Sequence, residues 1–134
     1  LPYLYHSDGR LYDILDDLIE IGVDSLNPVQ TTAKNMEPDR LKSEFGDRLS
    51  FWGGIDTMHV LNHGTPEDVR REVKYKIDTL ASGGGYILNP VHNVQPDVTV
   101  ENLLAMIDAA LEYGWFPVDG GTQDRDDRGK DAEL

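Results

Sequence analysis

An apolar run followed by an amphipathic helical pattern recurs four times along this chain, and that alternation constrains the fold more than any other feature. A strand can reach a parallel neighbour only through a long crossover, and a helix lying on the sheet supplies it. Four such units in series predict parallel strands joined by right-handed crossovers.

The first strand is expected over residues 2–5, running into His6-Ser7-Asp8-Gly9. Leu11, Ile14, Leu15, Leu18 and Ile19 then recur at helical spacing, and Gly22 is placed to end that helix. The second strand is expected over 24–26, ending at Asn27-Pro28. A short helix follows from Pro38, with Leu41 and Phe45 on one face and Gly46 as its stop. The third strand is expected over 49–52, running into Gly53-Gly54-Ile55-Asp56. Thr65-Pro66-Glu67-Asp68 reads as a helix start, with threonine at the N-cap, proline at N1 and an acid at N3. Val69, Val73, Ile77 and Leu80 continue its buried face to the stop at Gly83-Gly84-Gly85. The fourth strand is expected over 86–88, ending at Asn89-Pro90-Val91-His92, and Thr99 caps a last helix with an apolar stripe from Leu103 to Leu111. The folded unit is expected to fill residues 1–118, with 119–134 an acidic, glycine-bearing disordered tail.

Two α/β architectures fit this pattern, an open doubly wound sheet and part of a (β/α)8 TIM barrel. No G-x-G-x-x-G follows the first strand, which argues against dinucleotide binding. The formal net charge of -13 argues against nucleic acid or an anionic membrane as partner, since both demand clustered Lys and Arg. There is no cysteine, so disulfides, thiolate metal ligands and thiol nucleophiles are excluded. With no signal peptide or membrane span in the pattern, a cytoplasmic location is expected. The chain opens in mid-strand without a methionine, as a piece of something longer would.

In parallel α/β folds ligands bind at the carboxyl ends of the strands. Those ends carry His6 and Asp8, Asn27 and Gln30, Asp56, then His92, Asn93 and Gln95. Any one of these is an ordinary loop residue; their joint placement makes a candidate site. His6 and Asp8 are two apart, so an extended backbone points both the same way. With His92 they form a candidate three-ligand set for a divalent metal with an open position. The plainer reading has His6 bonded to a backbone carbonyl and Asp8 capping the next helix. Asp56 can orient a ligand, accept a proton or cap a turn. His59 and His63 read as solvent-exposed loop residues without a partner.

The segments HSDG, FGDRLSFWGGID, GTPEDV and GGGYILNPVHNVQPDVTVENLLAMIDAALEYG resemble the C-terminal half of the uroporphyrinogen decarboxylase superfamily. The resemblance covers roughly residues 2–117. It implies a (β/α)8 barrel of which this chain holds the last four units, the other half being supplied separately or replaced by self-association through the open edge. It also implies one of two chemistries. In the zinc-dependent methyltransferases that work with corrinoid proteins, a His-x-Cys pair and a later Cys hold the metal. Here His6 matches the first ligand, Asp8 stands where the first Cys would be, and His92 lies at or near the later one. The haem-pathway decarboxylase carries Gly-His-Gly on its last strand; His92 matches that His, but Val91 and Asn93 replace both glycines. The His-x-Asp pair tips the resemblance toward metal-dependent, corrinoid-linked methyl transfer, with zinc the implied metal. Asp56 and His92 are then the candidate catalytic residues, and Asn27, Gln30, Asn93 and Gln95 the candidate substrate contacts. Decarboxylation of a porphyrinogen, and a non-catalytic half-barrel that serves assembly, stay open.

Overall fold

A computed structural model describes residues 1–114. The expected tail at 119–134, and the end of the folded unit at 118, lie outside the described residues. Four strands, β1 (Leu4–His6), β2 (Ser25–Asn27), β3 (Ser50–Ile55) and β4 (Tyr86–Pro90), form one parallel sheet in sequence order. Between and after them come α1 (Leu15–Glu20, entered through a 3-10 turn at Tyr12–Ile14), α2 (Pro38–Phe45), α3 (Pro66–Leu80) and α4 (Val100–Tyr113). The alternation read from the sequence is the fold observed. Among the described residues no helix is long and apolar enough to cross a membrane.

Every strand ends later than its apolar run suggests. In β3 the difference is largest, because Gly53 and Gly54 continue the ladder, with Gly53 opposite Leu88 and Ile55 opposite Pro90. Glycine has little strand preference of its own; the neighbouring strand imposes the pairing. Gly53 also has a steric reason to be glycine. Its φ is +125°, and a Cβ there would lie 2.9 Å from the backbone nitrogen of Val29. The β2–α2 loop thus rests directly on β3, and Val29 N–H donates to Trp52 O at 3.2 Å.

The helices cover one face of the sheet. Leu26, Phe51 and Leu80 join Leu11, Leu15, Leu18, Leu41 and Phe45 in one buried cluster, and Ile55, Val69, Val73 and Ile77 join Ala105, Met106 and Ala109 in a second. Tyr86 packs against both, and burial pushes its hydroxyl pKa upward. By strand alternation the other face carries His6, Asn27, Trp52, Ile87 and Asn89. Ile14, expected on the core face of α1, is exposed, because the 3-10 turn offsets the helical phase there. Asp8 does not cap the first helix: the turn starts at Tyr12 with Leu11 before it and no side-chain cap.

The capping box at the start of α3 forms as expected. Asp68 N–H donates to Thr65 Oγ1 at 3.2 Å, and Thr65 N–H donates to Asp68 Oδ2 at 2.9 Å. Those bonds from Thr65, with Arg71 alongside, hold the Asp68 carboxyl down at about 2. A depressed folded-state pKa contributes stability that is complete above the unfolded value, about 3.9. The contribution fades as pH falls toward about 2. Asp68→Asn is therefore expected to flatten the acid limb of a stability–pH curve between those values and to leave its shape unchanged above pH 5. Denaturant midpoints measured across that range check it.

Candidate functional site

A cleft of about 300 Å³ opens at the carboxyl ends of the strands. It is lined by Asp8 after β1, Gln30 and Thr32 after β2, Asp56, Thr57 and Met58 after β3, and Val91, His92 and Gln95 after β4. All four units contribute a loop, so Asp8, Gln30, Asp56, His92 and Gln95 meet in one place, as the parallel topology requires.

Each lining group is held by a local device. Gln30 Oε1 accepts the Gly9 N–H at 2.7 Å, which ties the first loop to the second and leaves the Gln30 amide NH2 as a donor. Thr31 donates to Gly54 O at 3.4 Å and accepts from Lys76 Nζ at 3.1 Å, anchoring the residue between Gln30 and Thr32. Asp56 is buried at the end of β3. Its Oδ1 accepts the N–H groups of Met58 at 2.7 Å and His59 at 3.2 Å, so it does cap a turn while also lining the cleft. His59 Nδ1 lies 2.9 Å from Asp56 Oδ2. His59 is exposed as expected, but it has a partner, and the Asp-x-x-His spacing across a tight turn was the signal for it. His63 is exposed. Gln95 Nε2 donates to Asn93 O at 3.1 Å, and Asn93 itself is outside the cleft lining.

His6 and Asn27 are placed differently. They are register partners on β1 and β2, and His6 Nδ1 lies 2.6 Å from Asn27 Oδ1. Asn27 Nδ2 also donates to Trp52 O at 3.3 Å. The pair sits on the uncovered sheet face and does not line the cleft. His6 thus bonds a side-chain amide, where the plainer sequence reading gave it a backbone carbonyl.

The three-ligand set His6, Asp8 and His92 is not assembled. Among the described residues no group of three His, Asp or Glu side chains is placed to hold a metal ion. The reason is geometric: Asp8 and His92 line the cleft, whereas His6 lies outside it with its Nδ1 engaged by Asn27. The residues present therefore do not fit a metal centre on their own. The sequence reading also passed over Thr32, Thr57, Met58 and Val91. The two threonines look like any loop residue, and the two apolar ones like core.

Comparison with known proteins places this arrangement. The family described as Uroporphyrinogen decarboxylase (URO-D) matches residues 1–113. A uroporphyrinogen decarboxylase of Methylococcus capsulatus is 30% identical over 99 residues, covering 74% of this chain and 27% of the relative. One from Pseudoalteromonas translucida is 35% identical over 72 residues, covering 54% of this chain and 20% of the relative. Among solved structures, a methyltransferase from Methanosarcina mazei superposes with a TM-score of 0.68 at 21% identity, covering 85% of this chain and 32% of that one. That likeness concerns the fold: the four parallel units are those of half a TIM barrel. The chain spans only about a quarter of the length of the curated relatives it matches. Since the family match runs through all four strand–helix units, this chain belongs to the uroporphyrinogen decarboxylase family.

Proposed function

We propose that the cleft is one side of the reaction site of a methyltransferase-like member of the family, with the rest of the barrel closing the other side. The observation that carries this reading is the lining: two carboxylates, two carboxamides, two threonines and an imidazole, with no Lys or Arg among the described residues that line it. A porphyrinogen substrate presents several carboxylates, which call for cationic, preferably bidentate, partners. Asp8 and Asp56 repel such groups. They suit a neutral acceptor with a proton to lose. Asp56 accepts that proton, Gln30 and Gln95 donate hydrogen bonds that orient the acceptor, and His92 at the rim handles the proton's exchange with water. A corrinoid on a partner protein, as the family resemblance implies, would supply the methyl group. A divalent metal would need ligands from outside this chain, and no step here depends on one.

The names of the relatives favour a second reading, decarboxylation of a porphyrinogen, in which cationic groups from the rest of the barrel bind the carboxylates. The two readings separate in one experiment on the full-length protein. Methyl transfer from a methylated corrinoid to a thiol is assayed beside uroporphyrinogen decarboxylation, each with the parent and with Asp56→Asn. Methyl transfer that falls by roughly 10²–10⁴ in the variant, the usual contribution of a positioned proton acceptor, supports the first reading. Turnover of uroporphyrinogen by the parent, without methyl transfer, replaces it with the second.

A further inference from the structure

We propose that His59 is a positioning residue for Asp56: it holds that carboxylate so that its last acceptor direction faces the cleft. The inference rests on the reading of the cleft as a reaction site. It starts from a count of lone pairs. A carboxylate offers about four acceptor directions. Two backbone N–H groups and one ring nitrogen occupy three of them on Asp56: Met58 N at 2.7 Å and His59 N at 3.2 Å on Oδ1, and His59 Nδ1 at 2.9 Å on Oδ2. Asp56 is only 8% exposed, and it is a lining residue of the cleft. The one direction left is where a substrate X–H meets it. When X–H is deprotonated, the bonding pair stays on X and the proton goes to the Asp56 carboxylate, from which water in the cleft removes it.

The two backbone bonds alone would cap the turn. They would leave Oδ2 free to rotate toward either side of the loop. The bond from His59 fixes it. It also fixes the imidazole, because the nitrogen that carries the proton is set by the partner of that nitrogen. With Asp56 as acceptor, Nδ1 carries it, and Nε2 is left as the acceptor nitrogen. The His59 side chain is 68% exposed, so Nε2 faces bulk water while the other nitrogen touches a buried carboxylate. The neighbouring groove, shared by His59 with α3, brings Asp68, Arg71, Glu72 and Tyr75 to its other side. Asp68 is engaged by Thr65 and Arg71, Glu72 by Lys76, and Tyr75 by Asp39. Asp56 is the charged group in hydrogen-bond contact with the ring.

Two measurements on the full chain test this. The first needs no activity. Nitrogen-15 spectra of the imidazoles, with the His59 signal identified by its loss in His59→Gln, report which nitrogen is protonated in the neutral ring. Protonation at Nδ1 is expected; protonation at Nε2 overturns the proposal even if the cleft is a reaction site. The second is the split between kcat and KM. His59→Gln is expected to lower kcat on the order of tenfold with KM little changed. That is less than the roughly 10²–10⁴ supplied by the base itself, since Asp56 remains. A kcat equal to the parent's, or a loss that falls on KM alone, overturns the proposal. Absence of methyl transfer in the parent counts against the proposed function, and the tautomer then decides the inference alone.

Discussion

Glu72→Gln is expected to destabilise the fold by about 3 kcal/mol, near the lower end of what removing one partner of a buried ion pair costs. Lys76 is the reason. It lies on α3 between Val73 and Leu80, on the face that packs against the sheet, and its side chain is 5% exposed. Its ammonium meets Glu72 Oε1 at 3.0 Å, a close ionic contact that is not well aligned as a hydrogen bond, and Thr31 Oγ1 at 3.1 Å. Neutralising Glu72 leaves the cation in the interior with neutral acceptors only and no countercharge. Replacing both residues, Glu72→Leu with Lys76→Met, removes the buried charge together with its partner and is expected to recover most of the loss. Urea midpoints of Glu72→Leu, Lys76→Met and the double variant form the cycle. A loss in the double variant equal to the sum of the two single losses would show that the two charges are not coupled. The cleft carries a second readout, since Thr31 lies between Gln30 and Thr32 and loses a donor only when Lys76 is replaced.

That cluster shows where legibility in the sequence stopped. The periodicity of α3 was plain, and so was its capping box, because both are local patterns with a local cause. Lys76 was passed over, and its partners are not legible locally, since Thr31 comes from a loop 45 residues away. The strand ends were read short for a related reason. Gly53 and Gly54 look like a turn until β4 is beside them, and pairing between strands is not written in either strand alone. The mouth of the cleft was legible as a set of loops because parallel topology gathers the carboxyl ends whatever the loops contain. Which residues touch there was not. His6 and His92 both stand near strand ends, yet His6 is bonded to Asn27 outside the cleft that His92 lines. Asp56 and His59, three apart on one turn, were within reach of a purely local argument.

Expressed by itself, the chain is expected to self-associate, and charged substitutions on α4 are expected to reverse this. A helix that is apolar all round is buried on both sides. On α4, Asn102, Ala105, Met106 and Ala109 face the core. Val100, Leu104, Ile107 and Leu111, at steps of four, three and four, are exposed on the far side. Leu4 and Ile87 are exposed on the uncovered face of the sheet, at its two edges. In a closed barrel each of these surfaces has a neighbour: another helix over α4, and other strands around the sheet. Four strands cannot supply that closure, so a second copy or the rest of the barrel must. Burying one such side chain is worth roughly 1.5–3 kcal/mol, so Leu104→Lys with Ile107→Glu is expected to weaken association by about a hundredfold or more. Sedimentation velocity over a wide concentration range reads this directly. A parent chain that stays monomeric throughout would overturn the expectation. Association that persists undiminished in the double variant would move the contact from α4 to the sheet face, where Ile87→Lys becomes the deciding substitution.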